Sequence, residues 1–296
     1  MPLAGAVEAP RKPVEYARIE SVVLTDEVSR TLFSEYAAHR KSDRGSEEIG
    51  WVLLGLREAN RAVALATLPA GAERDAGEAH VRFNSDAQAL ASRIVRQSDK
   101  RLTLLGVVHT HPGRMRQPSS GDYEGDRHWV KNLRGGEGVF GIGTFDAPKA
   151  AIPTPVGGHP REHILTFEDL RFDWYTLTAA DTRYRPVPVE LTLGPDLAIP
   201  LRAIWPIVET HAARLDWLTL VMAKVRFEIP AEAETPVLVV TIGLGEPGHR
   251  VRILLERKRV RYIYEAGDTA FQADLPAGTA PDQGLFLLLA EVAARE

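Results

Sequence analysis

One stretch of this chain carries residues whose types and spacing suit metal chemistry: His109-Thr110-His111-Pro112, followed by Pro118-Ser119-Ser120-Gly121-Asp122. Residues two apart on a strand project from the same face, so a strand running through His109 and His111 aims both imidazoles one way. Pro112 cannot donate to a sheet ladder and marks where that strand stops. Ser119 stands where a helix N-cap would be. Asp122, three residues later, falls in the first helical turn, from which a carboxylate reaches back toward the histidines. The chain contains no cysteine, which excludes disulfides, thiolate ligands and cysteine nucleophiles together. Any metal must therefore be held by His, Asp or Glu, and two imidazoles, one carboxylate and a water make a catalytic Zn2+ coordination set.

The elements that must position these residues follow from hydrophobic periodicity. A helix is expected from about Asp26, then two strand-length apolar runs at 49–56 and 62–68 joined by the polar loop 57–61. A short strand fits 79–83, and Asp86 is expected to cap a second helix. The near-continuous apolar run 102–109 reads as a central strand buried on both faces, so the histidines lie at its end, where α/β sheets commonly place their chemistry. A polar loop, a helix over 120–133 and a strand over 139–145 complete the neighbourhood. Tyr123, Glu124 and Asp126 follow Asp122 on the same helix, as candidates to orient a ligand or as a solvated face. Six residues past Asp122, His128 points away from it. His159 and His163 have no carboxylate at useful spacing in the sequence, and both are assigned structural roles.

The combined pattern resembles the JAMM (JAB1/MPN/Mov34) zinc metalloprotease family, whose motif is H-x-H-P-x6–7-S-x-x-D with an upstream glutamate. The segment Glu47-Glu48-Ile49-Gly50-Trp51-Val52-Leu53-Leu54-Gly55 resembles the family's E-x-x-G-x-x-x-G strand. Counting back from Gly50 sets the glutamate on Glu47, with Glu48 the off-by-one rival. Thr110 stands where many relatives carry Ser. The resemblance covers about residues 20–178 and implies an MPN/JAB-like (cytidine-deaminase-like) mixed sheet flanked by helices. It further implies Zn2+ on His109, His111 and Asp122, Glu47 as general base and then acid, and Ser119 stabilising the tetrahedral oxygen. The implied activity is that of a prokaryotic JAB-type, deubiquitinase-like peptidase. The arginines of loop 113–117, Arg114 and Arg116, suit an acidic substrate segment or simple solvation equally.

The rest of the chain bounds the function. A length of 296 residues fits two modest domains: a leader over 1–19, an α/β catalytic domain over 20–178, a Pro-rich linker or edge segment over 179–200, and a smaller α+β accessory domain over 201–296. A long helix over 203–227, four meander strands and a terminal helix over 282–294 are expected in the last of these. The balance of 36 basic against 40 acidic residues gives a net charge of −4, which disfavours broad nucleic-acid binding. No apolar run approaches the ~20 residues of a membrane span, and the first thirteen residues do not read as a secretory signal, so a cytoplasmic location is expected. Arg250, Arg252, Arg257, Lys258, Arg259 and Arg261, interleaved with apolar residues, suggest a half-buried hairpin or a partner-recruiting surface. The accessory domain is expected to recruit substrate and to be removable without unfolding the rest.

The leading functional expectation is a zinc isopeptidase or peptidase acting after the C-terminus of a ubiquitin-like protein. Its partners would be the modifier or its conjugate, together with activating or conjugating enzymes of the same pathway. The alternatives are a JAB-like protein of the DNA-repair-associated branch and a non-catalytic MPN scaffold.

Overall fold

The computed structural model describes residues 15–71, 75–77, 81–82, 84–112, 115–145 and 162–295. Most of the leader, part of the 79–83 strand, Arg114, the connector 147–160 and His159 lie outside them. The chain opens with strand β1 (Ser21–Thr25) and helix α1 (Asp26–Arg40), whose N-cap Thr25 accepts from the Val28 amide. A hairpin follows, β2 (Gly50–Arg57) and β3 (Arg61–Pro69), then two short strands, β4 (Asp75–Ala76) and β5 (Val81–Arg82). Helix α2 (Ser85–Arg96) is capped by Asn84, not by the expected Asp86, which instead sits in its first turn. Strand β6 (Thr103–Thr110) carries the histidine motif, α3 (Ser120–Trp129) the aspartate, and β7 (Glu137–Thr144) lies parallel to β6.

A hairpin follows, β8 (Ile164–Phe167) and β9 (Leu170–Thr178), turning at Glu168 with φ 54°. The Pro-rich stretch after it is no linker. It supplies β10 (Arg185–Pro186) beside β9 and β11 (Val189–Thr192) beside β1, closing both ends of a nine-stranded mixed sheet of order β10-β9-β7-β6-β2-β3-β1-β11, with β8 also on β9. Prolines at these edge positions leave few ladder bonds unmade.

Helix α1 covers one face of this sheet, packing Val28, Leu32 and Tyr36 onto Trp51, Leu53 and Phe172. The other face carries α2, α3 and the remainder of the chain. Helix α4 (Ile199–Val221) is followed by a five-stranded antiparallel meander and α5 (Pro281–Ala293). The meander comprises β12 (Val225–Glu228), β13 (Val237–Gly243), β14 (His249–Glu256), β15 (Val260–Ala266) and β16 (Thr269–Ala273). One buried cluster runs from Leu54 and Leu68 through Leu90 of α2 and Trp205 of α4 into Leu238 and Ile253 of the meander. The first and last thirds of the chain therefore share a core, contrary to the expectation of a lightly attached accessory domain. In the basic hairpin, Glu265 pairs with Arg250 and Arg252, and Glu256 with Arg261.

Candidate metal centre

A register shift sets up the site. Between Leu53 and Leu54 the β2–β6 pairing jumps from Gly106 to Leu104, leaving Leu105 as an extra residue on β6. Leu105 and Val108 therefore both pack on the α1 side, while Val107, His109 and His111 fall on the α2–α3 side. Without that bulge, the strict alternation of a strand would have turned the histidines to the opposite face. Gly106 permits the bulge, since a Cβ there would collide with the Val139 backbone.

At the strand end, His109 and His111 are 7% and 3% exposed. Their Nε2 atoms stand 3.1 Å apart. Asp122 completes the group, its Oδ1 3.2 Å from His109 Nε2 and its Oδ2 3.4 Å from His111 Nε2. Tetrahedral zinc with ligands at 2.0–2.1 Å separates neighbouring donors by about 3.3 Å, so the triangle has the size the metal needs. His111 Nδ1 lies 2.8 Å from the Met115 carbonyl, a contact in which only an N–H can donate, and this leaves Nε2 with its lone pair for a metal. Asp122 is fixed by the start of α3: the Ser119 amide donates to Oδ2 at 2.6 Å, and the Asp122 amide donates to Ser119 Oγ at 3.1 Å. Burial pushes the Asp122 carboxyl up, but its bonds to His109, His111 and the Ser119 amide outweigh that and hold it well below the usual carboxylate range. Burial lowers His111, and the Asp122 bond, the Met115 carbonyl and the charge of Glu48 reverse the balance to a net rise.

The two candidate upstream glutamates have different surroundings. Glu47, the expected proton carrier, turns to Arg44 (Nη2 to Oε2 2.6 Å) with its side chain 27% exposed. Glu48 is the buried one, 3% exposed, and it lies near enough for its charge to act on the His111 imidazole. Counting back from Gly55 instead of Gly50 would have found it, because the two glycines are five residues apart where the pattern has four. Thr110 ties this glutamate's strand to the histidines. Its Oγ1 accepts from the Ile49 amide at 3.0 Å, and its own amide donates to the Ile49 carbonyl at 2.9 Å.

Of the residues after Asp122, Glu124 is solvated and Tyr123 donates to the Asp181 carbonyl. Asp126 is buried and accepts from Tyr184 Oη at 2.7 Å and from Trp129 Nε1 at 3.1 Å. Burial pushes its carboxyl up to about 6 against those two bonds and the pull of His109. His128 is exposed. His163 does have a carboxylate nearby, Asp173 at 3.9 Å, brought across the β8–β9 hairpin and already bidentate to Arg171. Among the described residues, His109, His111 and Asp122 are the group that could hold a metal ion.

A mixed sheet with a His–His–Asp cluster at a strand end beside a helix start makes an α/β domain with a candidate metal site. Residues 29–150 match the family described as prokaryotic homologs of the JAB domain, so that segment is similar to a JAB domain. Among solved structures the chain is similar to the solution structure of protein DSY2949 from Desulfitobacterium hafniense, at 14% identity and a TM-score of 0.38, over 59% of this chain and 94% of that one. No curated protein matches the chain.

Proposed function

We propose that this chain is a zinc-dependent peptidase or isopeptidase that cuts the amide following the C-terminus of a ubiquitin-like protein. The observation carrying this reading is the convergence of His109, His111 and Asp122 at zinc-ligand separations with buried Glu48 beside them. Zn2+ held there would polarise the substrate carbonyl and lower the pKa of a bound water from about 15.7 toward about 7.

The proton transfers fall to the chain's own side chains. Glu48 takes a proton from the attacking water and delivers it to the leaving amine, the role first assigned to Glu47. Ser119 Oγ accepts the Asp122 amide hydrogen and keeps its own proton to donate to the carbonyl oxygen as negative charge develops there. Thr110 fixes the separation of Glu48 from the histidines by binding both strands.

An extended substrate tail has a place to lie. A groove of about 720 Å3 between α2 and α3, floored by Val52, Leu54, Leu104 and Val107, ends at Asp126, one helical turn past Asp122. Val52 pairs with Val107 and Gly50 with His109, so the groove floor and the cluster share one sheet face. Gly125 leaves open space on the α3 wall. An apolar trough suits an extended chain end better than a folded surface.

The test is incubation of zinc-loaded protein with ubiquitin-like and sulfur-carrier proteins bearing a C-terminal peptide extension. Release of the extension, abolished by a chelator and restored by Zn2+, is expected. If every extension stays attached at micromolar enzyme, the substrate assignment fails.

A further inference from the structure

A second groove, about 830 Å3, opens on the other side of α3 and is lined by Ser119, the residue whose amide and hydroxyl hold Asp122. Its outer wall is built by Arg18 and residues 181–186, both outside the 29–150 segment that matches the JAB family. Three tyrosines shape it, each with its hydroxyl committed elsewhere: Tyr123 to the Asp181 carbonyl, Tyr175 to the Arg116 carbonyl and Tyr184 to Asp126. Tyr184 meets both other rings edge to face, at 6.3 and 6.2 Å.

The groove's electrostatics are unbalanced. Arg18 grips Asp181 with two bonds of 3.1 and 2.9 Å. Arg18, Arg185 and Arg57 all approach the buried Glu137, at 3.3, 3.1 and 3.7 Å. Exposed Arg183 adds a fourth cation, with no ion pair among the described residues. Of these four arginines, Arg18, Arg57 and Arg185 are paired with Asp181 or Glu137, and Arg183 faces solvent at the groove rim.

We propose that this groove takes the substrate segment on the far side of the scissile amide from the apolar groove, and that Arg183 selects an acidic side chain in that segment. The inference rests on the hydrolase reading, which places the amide at the cluster between the two grooves. The aromatic rings offer flat contact to an extended backbone, and the surplus cation offers discrimination by charge. The specificity would then come from the part of the chain that lies beyond the JAB segment.

Binding tests this separately from cleavage. A blocked hexapeptide containing Asp and Glu, and its Asn/Gln isostere, are titrated calorimetrically into zinc-loaded and chelator-treated wild type and into Arg183→Glu and Arg183→Gln. A three- to tenfold preference for the acidic peptide is expected in wild type with or without zinc, shrinking at 0.3 M salt, as screening requires. Arg183→Gln should abolish the preference and Arg183→Glu should invert it, with unchanged thermal stability. Equal binding of both peptides, a preference that survives Arg183→Glu, or no detectable binding at millimolar peptide would each overturn the proposal. Failure of the hydrolase reading would instead show as absent turnover with the charge preference intact.

Discussion

A carboxylate that passes a proton from water to a leaving amine works best when it is held away from bulk water and fixed beside the reacting atoms. Glu48 meets that description, and Glu47, paired with Arg44 at the rim, does not. Glu48→Gln is expected to keep the metal and the fold while losing about 10²–10⁴ in turnover. Glu47→Gln gives up a partly exposed ion pair of the kind worth about 0–1 kcal/mol and should leave the rate within a few-fold. Rates measured at equal zinc loading distinguish the two, and a dead Glu47 variant beside an active Glu48 variant would restore the original register. Thr110→Val probes the tie between the strands. Removing a hydroxyl that accepts the Ile49 amide should cost about 1–3 kcal/mol by thermal unfolding. The His109, His111 and Asp122 cluster was legible in the sequence because it is set by short spacings across a strand end and a helix cap. The glutamate was not, since one added residue between Gly50 and Gly55 makes the two counts disagree and only burial decides between them.

Elements explain why those spacings work. The histidines reach the α2–α3 face because β6 carries an extra residue at Leu105, and Gly106 is where the chain comes too close to Val139 for any side chain. Gly106→Ala is expected to destabilise the protein by about 1–3 kcal/mol through overpacking. It should also weaken zinc binding roughly tenfold or more, as loss of support behind metal ligands does; a zinc competition titration beside a melting curve measures both. Zinc affinity unchanged in a destabilised variant would separate the bulge from the site. Apolar periodicity made β2, β3, β6 and α1 readable, but a bulge leaves no mark on a buried run such as Thr103-Leu104-Leu105-Gly106-Val107-Val108, where every residue is compatible with either face. The sequence left 179–200 open between a linker and an edge segment, and did not show β10 and β11 as separate strands. They are two and four residues long, set among prolines, and only their partners make them strands.

Across the whole molecule, the last hundred residues complete the core. Asp196, buried, accepts from the amides of Thr67 and Ala198 and so fastens the start of α4 to β3. Beyond it Leu201, Trp205 and Val208 pack with Leu90 and Ala91 of α2. Removing residues 199–296 would uncover that apolar surface. The truncated chain is expected to aggregate or to lose near-ultraviolet circular dichroism, whereas the full chain should unfold in one calorimetric transition. Two well-separated transitions, or a soluble cooperative fragment, would show that the shared cluster is not a shared folding unit. The sequence showed α4 and the last four meander strands, but it ran the helix on to 227, where the chain has already left α4 at Val221 and entered β12 at Val225. It did not show that their apolar faces meet α2, because periodicity tells which side of an element is buried and not against what. No helix among the described residues is long and apolar enough to cross a membrane.

The central claim is that His109, His111 and Asp122 hold one catalytic zinc, and metal content tests it most directly. Elemental analysis of dialysed protein should find about one Zn2+ per chain in wild type and in Glu48→Gln, and almost none in Asp122→Ala. Stoichiometric zinc surviving in Asp122→Ala, or wild type that takes up no zinc, would contradict the account.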